Sequence, residues 1–361
     1  MKILIQKFYF FIVKKIFDLI YFKLTIPKDD YYRRNVETFK FKINKNSKKK
    51  YNIYRIKNSR IYSDLSQHVA VIKDKFLIKN LSTQTIDNYL VDIKQNKILK
   101  TGTRKLIQKK VKGSVLSLVQ GISGIENYGH WMLDIMPKLY ISSKFKKLKQ
   151  YDAIYFPNIN KHFQKQSLLY LNLDNKRFID GSKIRHLYAD EIIIPQHPYW
   201  KKNIHQLKSV ENIDRDFINW MRKKFLVNIK KRNKKKIIID RSDSLFEHNQ
   251  IQNKKFIYTI LKKLKFEVIQ LSKLSFKKQI EYFYNSSCII SPHGAGLTNI
   301  IFCKPNTKII ELNNSNFNCK VFRNLSKLNN LNYKIIKRKK FIKDFPGDIN
   351  IPIHKLKRFI Y

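Results

Sequence analysis

The chain has 361 residues, of which 43% are hydrophobic and 13% aromatic; this is enough apolar material for two domains with separate cores, and it excludes a mainly disordered protein. Its 75 Lys and Arg residues against 26 Asp and Glu give a formal net charge of +49, which attracts nucleic acid, anionic lipid and nucleotide sugars alike. Three cysteines without C-x-x-C spacing exclude a disulfide scaffold and a zinc finger, and they favour a reducing cytoplasm.

The large positive charge has two readings. Lys, Asn and Ile are all abundant, and they rise together when a genome is rich in A and T, so much of the excess can be background. The lysines are scattered along the whole length, and no arginine-aromatic pattern of an RNA-binding sheet appears. We therefore expect no specific nucleic-acid partner. A basic polyanion- or nucleic-acid-binding protein without catalysis is the alternative function.

Residues 1–28 form an apolar and aromatic segment that is interrupted by lysines. No stretch approaches the ~20 apolar residues that a membrane-spanning helix needs, and no small-residue cleavage site follows. The segment either lies on an anionic membrane surface, at the inner face of the cell membrane, or packs on its own protein. Apolar residues recur every three or four positions and predict an amphipathic helix: Ile5, Phe8, Ile12, Ile16, Leu19 and Phe22.

Residues 29–205 are predicted to form a first domain. Residues 29–112 are polar, with short apolar runs between charged turns, which is typical of strands that carry no recognisable chemical motif. Apolar runs of strand length then alternate with periodic runs of helix length. The predicted elements are strands at 115–119, 151–156 and 191–194 and helices at 129–148 and 163–171.

The helix at 129–148 carries the first candidate for chemistry. His130 and Asp134 lie four positions apart and share one face, so the carboxylate can orient and polarise the imidazole. This pair predicts a general base, which is either the imidazole or the carboxylate itself. In the alternative, the two side chains merely bond each other or the nearby backbone. Pro137 inside the helix is expected to kink it.

Residues 206–236 are predicted to be a linker helix followed by a basic crossing between domains. Residues 237–361 are predicted to form a second domain. Strands and helices alternate there at a spacing that predicts a doubly wound parallel sheet. Its predicted elements are strands at 237–240, 266–271, 288–291 and 308–312 and helices at 256–264, at 276–285 and from Thr298.

A glycine-rich turn after the strand at 288–291 predicts an anion cradle. Glycines allow close approach of the backbone, and unpaired N–H groups at a helix start stabilise negative charge. Arg241, at the end of another strand, is expected at the same edge of the sheet. In the alternative, the turn is an ordinary connection of an α/β fold. The turn residues are His293, Gly294, Ala295, Gly296, Leu297, Thr298 and Asn299.

Five segments occur in a recognisable order: Gly-His-Trp-Met-Leu-Asp-Ile-Met-Pro-Lys-Leu, Ile-Ile-Ile-Asp-Arg-Ser-Asp, Leu-Ser-Phe-Lys-Lys-Gln-Ile, His-Gly-Ala-Gly-Leu-Thr-Asn and Ile-Ile-Glu-Leu. Together they resemble the glycosyltransferase family 61 catalytic domain over residues 113–312. The resemblance implies an α/β fold of GT-B type, in which two Rossmann-like domains face a cleft. It also implies an inverting transfer of sugar from a nucleotide donor to a glycan or lipid-linked glycan, in capsule or lipopolysaccharide synthesis.

The sequence departs from the family pattern in residues 249–254. The family has a basic cluster and an Asn-Glu pair here, whereas this chain keeps the Asn and lacks the arginines and the Glu. Lys254 or Lys255 can supply point charges but not the bidentate geometry of a guanidinium. The sequence therefore leaves open whether this stretch contacts the donor and whether the protein is active.

The resemblance implies that residues 29–205 are the acceptor-side domain and that residues 237–361 are the domain that binds the nucleotide sugar. Within this resemblance the candidate residues take separate roles. His130 and Asp134 remove the proton from the acceptor hydroxyl, while Arg241 and residues 293–299 neutralise the departing diphosphate. Glu311 either accepts hydrogen bonds from the ribose or is a solvated or capping carboxylate. The D-x-D spacing at 214–216 fits an exposed helix face better than a metal site. We therefore expect a metal-independent enzyme without a cofactor.

Overall fold

The computed structural model describes residues 2–45, 47, 49–64, 68–87, 89–103, 105–119, 126–173, 175–199, 209–243, 250–313, 319–337 and 349–361. Contacts divide the chain into two compact units. The first comprises Met1–Lys161 and Asn172–Val210, and the second comprises His162–Leu171 and Glu211–Tyr361. The helix predicted at 163–171 therefore packs with the second unit, although it lies within the sequence of the first.

The first unit is built on a ten-stranded mixed sheet in the order β6-β5-β3-β2-β10-β7-β8-β9, with β1 paired to β2 and β4 paired to β3. Its strands are β1 (Glu37–Lys42), β2 (Lys50–Ser63), β3 (His68–Lys73), β4 (Phe76–Leu77), β5 (Thr83–Ile86), β6 (Tyr89–Leu90), β7 (Lys109–Ser117), β8 (Ala153–Phe156), β9 (Phe178–Asp180) and β10 (His186–Pro195).

Only part of this sheet has Rossmann-like character. β10, β7, β8 and β9 are mutually parallel, whereas β1 to β6 pair antiparallel and β2 joins the two parts by pairing antiparallel with β10. The sheet of the first unit is therefore mixed, and its parallel part is limited to these four strands. The connections between its early strands are too short for the crossover helix that a parallel pair requires.

The helices of the first unit cover both the antiparallel and the parallel strands. Phe17 of the first helix is fully buried in a cluster with Tyr62 and Ile72 of the antiparallel strands. The helices are Lys2–Tyr21, Asp29–Asn35, Lys97–Thr101, Tyr128–His130 and Met136–Phe145, with a π-helical turn Trp131–Ile135 and 3-10 turns Ile93–Gln95, Leu148–Gln150 and Asn175–Arg177.

The helix predicted at 129–148 is interrupted by the π turn. The Tyr128–His130, Trp131–Ile135 and Met136–Phe145 segments follow one another without a break. Pro137 lies at the start of the last segment and lacks the N–H that would bond the carbonyl four residues earlier. The wider turn before it accommodates this missing bond, and such π turns occur frequently at functional sites. Trp131 is fully buried against Phe156.

The second unit contains a five-stranded parallel sheet in the order β12-β11-β13-β14-β15, which confirms the parallel sheet predicted for the second half of the chain. From β11 the chain continues to β12 on one side of the sheet, and from β13 it continues to β14 and β15 on the other side. The direction in which the strands are added therefore reverses between the neighbours β11 and β13. The strands are β11 (Lys235–Ile239), β12 (Phe266–Ile269), β13 (Ser286–Pro292), β14 (Lys308–Asn313) and β15 (Asn332–Lys337).

Alternate strand residues in this sheet face different layers. Ile238, Ile290 and Ile310 pack in a cluster with the Lys254–Lys263 and Ile353–Ile360 helices. The other helices are His162–Leu169, Arg215–Phe225, Phe276–Tyr284 and Val321–Leu328, with 3-10 turns Val210–Asn212, Leu271–Lys273 and Ala295–Phe302.

None of the helices among the described residues combines the length and the apolar character that crossing a membrane requires.

Candidate active site

The carboxyl ends of β7 and β10 position the first group of candidate residues. The two strands are parallel neighbours, although nearly eighty residues separate their carboxyl ends, Ser117 and Pro195, along the chain. The helical run with His130 follows β7, and His197 follows the last residue of β10, Pro195. Ligands of α/β sheets bind outside the carboxyl ends of parallel strands, so this edge is where chemistry is expected.

His130 and Asp134 pair as their spacing predicts. The imidazole Nδ1 lies 2.7 Å from Asp134 Oδ2, and the backbone N–H of His130 donates to the Asn127 side chain at the helix start. Asp134 is almost fully buried, whereas the His130 side chain keeps 14% of its surface exposed. With Nδ1–H donating to the carboxylate, Nε2 is the ring nitrogen that can accept a proton.

A second histidine approaches the same carboxylate. His197 Nε2 lies 3.8 Å from Asp134 Oδ1, and both side chains are buried. Burial holds the pKa of His197 well below its ordinary value, and the neighbouring Lys138 and His130 lower it further. The ring of Tyr199 stands edge-on to His197, and burial together with Asp134 raises the pKa of its phenol. His197 is therefore neutral at physiological pH.

Lys138 completes this cluster from one helical turn beyond Asp134. The side chain is fully buried, and its ammonium donates to the carbonyl of Leu118, directly after β7. Burial lowers the pKa of Lys138 to about 7, against a smaller upward influence of Asp134. A lysine in this position loses its charge near neutral pH, so the Asp134 carboxylate is not neutralised by a permanent cation.

Neither His197 nor Lys138 is a candidate in the sequence analysis, although signals for both exist. Lys138 continues the spacing of His130 and Asp134 by four more residues, which places all three on one helix face. His197 follows a predicted buried strand by three residues, where functional side chains of parallel sheets concentrate.

The second group of candidates lies in the second unit, at the carboxyl ends of β11 and β13, the neighbouring strands between which the chain direction reverses. Arg241 follows β11, and its guanidinium donates to the carbonyl of His293, which follows β13. A Cβ on Gly294 would collide with that guanidinium, so the glycine is required by the close approach of Arg241. Burial lowers the pKa of Arg241, while nearby Asp243 opposes the shift.

His293 and Glu311 form a second histidine-carboxylate pair. His293 Nδ1 lies 2.5 Å from Glu311 Oε1, and the hydroxyl of Tyr333 donates to Glu311 Oε2 at 2.6 Å. Glu311 is almost fully buried in β14, and the His293 ring packs edge-on to Phe322. Both Glu311 oxygens thus bond protein groups, an arrangement that orients the imidazole.

The glycine turn continues into the 3-10 helix Ala295–Phe302, three residues earlier than predicted. Gly294, Ala295 and Gly296 are half-buried, whereas the following residues, Leu297, Thr298 and Asn299, are buried. The Asn299 amide donates to the Gly296 carbonyl and to Gln279, both at 3.1 Å, so it stabilises the turn from inside.

The glycine at position 296 has a packing role. A Cβ there would meet Cδ1 of Leu271 at 2.5 Å, while the Leu271 carbonyl accepts a hydrogen bond from Gln279 at 2.9 Å. At the other end of the 3-10 helix, Arg222 donates to the carbonyls of Ile301 and Cys303. A guanidinium therefore stabilises the negative end of the helix, and its positive end lies at the half-buried glycines.

The model of the family Glycosyltransferase 61 matches the chain over residues 128–310, just over half of its length. The chain belongs to glycosyltransferase family 61. The match spans both groups of candidates except Glu311, which lies one residue beyond it. No curated protein matches the chain. The family establishes that the protein is a glycosyltransferase, an enzyme that binds a sugar donor and an acceptor.

In this family 61 chain, Gln250 from the stretch that departs from the family pattern lies beside Arg241. Asn249 is outside the described residues, but Gln250 donates to the Arg241 carbonyl at 2.8 Å, and the Lys254–Lys263 helix follows. Asp240 accepts hydrogen bonds from Ser242, Tyr258 and Gln270. These bonds outweigh burial and lower its pKa, so the strand end that holds Arg241 is fixed by an ionised carboxylate.

Across the part of the chain that the structure describes, no three His, Cys, Asp or Glu side chains are placed to hold a metal ion. Catalysis without a metal stays a prediction.

Proposed function

We propose that this glycosyltransferase moves a sugar, with inversion, from a nucleotide-diphosphate donor to a glycan or lipid-linked glycan. The observation on which the proposal rests is the pair of a partly exposed His130 and a buried Asp134 at the carboxyl edge of a parallel strand pair. Inversion, the GT-B arrangement with one cleft, and a place in capsule or lipopolysaccharide synthesis are parts of the proposal that the family resemblance supports.

On the acceptor side, His130 Nε2 takes the proton of the attacking hydroxyl. The Asp134 carboxylate holds Nδ1–H and stabilises the imidazolium that forms. We assign the base to His130 because it is the more exposed partner, whereas Asp134 is buried behind it. His197 is neutral and Lys138 loses its charge near neutral pH, so neither is a permanent cation that would compete with His130 for the negative charge of Asp134.

On the donor side, the bond from the sugar C1 to the phosphate oxygen breaks, and its electron pair goes to the diphosphate. The hydroxyl oxygen of the acceptor forms the new bond to C1 from the opposite face. Arg241 and the N–H groups at the start of the Ala295–Phe302 helix stabilise the diphosphate, because the first amides of a helix lack partners within it. Glu311 orients His293 for the same anion.

The experiment is a panel of nucleotide sugars screened by thermal shift, followed by assay of nucleoside diphosphate release. A donor that binds the folded protein raises its melting temperature. We expect release to rise when a sugar acceptor is added, and NMR of the product to show an inverted anomeric centre. Retention of configuration would contradict the single-displacement chemistry. Failure of every donor to bind would contradict the assignment of the donor site.

A further inference from the structure

The first helix, Lys2–Tyr21, has two faces with different environments. Phe17 is fully buried in the first unit, and Tyr21 packs against the His186 ring. The opposite face is solvent-exposed and apolar. Its exposed large side chains, together with the residue that follows the helix, are Ile5, Phe8, Tyr9, Phe11, Ile12, Ile16, Leu19, Ile20 and Phe22.

These side chains form a patch, which we call the apolar face. Nine of the sixteen large hydrophobic side chains that are exposed among the described residues lie between Ile5 and Phe22. Phe8 keeps 65% of its surface exposed and Leu19 keeps 83%. Single exposed hydrophobic residues need no explanation, whereas a contiguous patch of this kind marks an interaction surface.

The charges around the apolar face identify its partner. Lys15 lies with its ammonium 5.5 Å from the centre of the Phe11 ring, and Lys23 and Lys28 follow in exposed positions. The acidic residue in the helix, Asp18, pairs with Lys14. A second copy of a chain with a net charge of +49 would be repelled, whereas an anionic surface would be attracted.

We propose that the apolar face binds the surface of an anionic lipid bilayer, with the helix lying in the headgroup region. Amphipathic helices with lysines beside Leu, Ile and Phe bind such interfaces through apolar burial and attraction to anionic headgroups. The side of the helix that carries Phe17 stays packed on the protein, so the helix lies along the surface while the first unit remains outside the bilayer.

This binding mode sets a distance between the bilayer and the reactive edge. The end of the helix contacts His186, the first residue of β10, whereas His197 follows the last residue of that strand. At about 3.3 Å per residue, the strand separates the two by roughly 30 Å. The C-terminal end of the helix and the candidate base thus lie toward opposite ends of β10, so contact of this end with a membrane leaves the carboxyl edge open to a substrate.

The test is sedimentation of the full chain with lipid vesicles. We expect it to pellet with vesicles in which a third of the lipid is phosphatidylglycerol, to bind pure phosphatidylcholine on the order of tenfold more weakly, and to be released by salt. A variant with Phe8→Ser, Ile12→Ser and Leu19→Ser should bind on the order of a hundredfold more weakly, because it loses three buried apolar side chains.

The matched control replaces three exposed apolar residues of the second unit, Leu169, Val227 and Phe256, by Ser. Its vesicle binding should equal that of the parent chain. Equal loss in both triple variants, or equal binding to both lipids, would overturn the proposal. So would self-association that only the helix variant abolishes, measured by light scattering. Vesicle binding is independent of sugar transfer, so its failure leaves the proposed function untouched.

Discussion

The protein contains two histidine-carboxylate pairs in different surroundings. His130 and Asp134 lie beside His197 and Lys138, whose pKa values burial lowers. The pair of the second unit, His293 with its carboxylate partner Glu311, lies at the turn where a guanidinium donates to a backbone carbonyl. The basic groups beside the first pair thus carry no permanent charge near neutral pH. The second pair lies beside an arginine, which keeps its charge.

This difference is the reason why we propose a separate chemical task for each pair. A base must accept a proton, and a permanent cation beside it would oppose that step; the surroundings of His130 avoid one. An anion site needs a fixed positive field, which Arg241 and the amides of a helix start supply. The roles that we propose, proton removal and diphosphate stabilisation, therefore rest on the neighbours of each pair, because the two pairs contain the same functional groups.

The largest effect is expected from removing the first carboxylate. Asp134→Asn keeps the shape but cannot hold the imidazolium, so kcat should fall by about 10²- to 10⁴-fold. Steady-state release of nucleoside diphosphate measures this. Glu311→Gln is the matched control in the second pair and should affect kcat less. An Asp134→Asn enzyme that folds and turns over at the parental rate would remove the distinction between the pairs.

Arg241→Gln should give the next largest effect, and this effect should fall on the use of the nucleotide-sugar donor. Loss of a charged hydrogen-bond donor to the diphosphate is expected to lower kcat/KM for the nucleotide sugar by about 10²-fold. Arg215→Gln, an exposed position on the Arg215–Phe225 helix, serves as control and should be neutral. An Arg241→Gln enzyme with the parental kcat/KM would exclude the guanidinium from the donor site.

The glycine turn offers a smaller test that separates packing from ligand contact. Gly296→Ala places a methyl group against Cδ1 of Leu271, and we expect roughly tenfold weaker nucleotide binding as the turn shifts. Leu271→Val removes that atom and should restore binding in the double variant, measured by calorimetry. If the double variant binds as weakly as Gly296→Ala, the methyl group blocks the ligand itself.

The last effect concerns stability, and not activity, and it depends on pH. Lys138 titrates near pH 7 in the folded chain and near 10.5 in the unfolded one, so only the unfolded state carries its proton between these values. Stability from this residue therefore rises with pH over that window, by up to about 1.4 kcal/mol per unit. Urea unfolding of the parent and of Lys138→Met should diverge between pH 7 and pH 9. If the difference between the two free energies of unfolding stays constant over this pH range, the buried amine of Lys138 does not titrate within it.

Local patterns in the sequence predict the second unit well. The β-branched runs of β11, β13 and β14 are strands, and the spacing of His130 and Asp134 produces the hydrogen bond that it implies. These features depend on neighbours in the chain, so they can be read from periodicity. The apolar stripe of the first helix is predicted in the same way, while its exposure is visible only in the structure.

Contacts between distant segments are what the sequence does not reveal. His197 reaches Asp134 because β10 pairs with β7, and that pairing depends on the whole order of the sheet. Two other features also depend on contacts between distant segments: the pairing of the antiparallel strands in the first sheet and the packing of Gly296 on Leu271. Local propensity cannot supply them because each depends on which surfaces the folded chain brings together.

The most direct test of the division of tasks is calorimetric titration of nucleoside diphosphates into two variants side by side. Asp134→Asn should bind the diphosphate as tightly as the parent chain, since its role lies in proton transfer. Arg241→Gln should bind it at least about tenfold more weakly, as expected for a lost charged hydrogen bond. The reverse pattern, with weak binding in Asp134→Asn and unchanged binding in Arg241→Gln, would contradict the account.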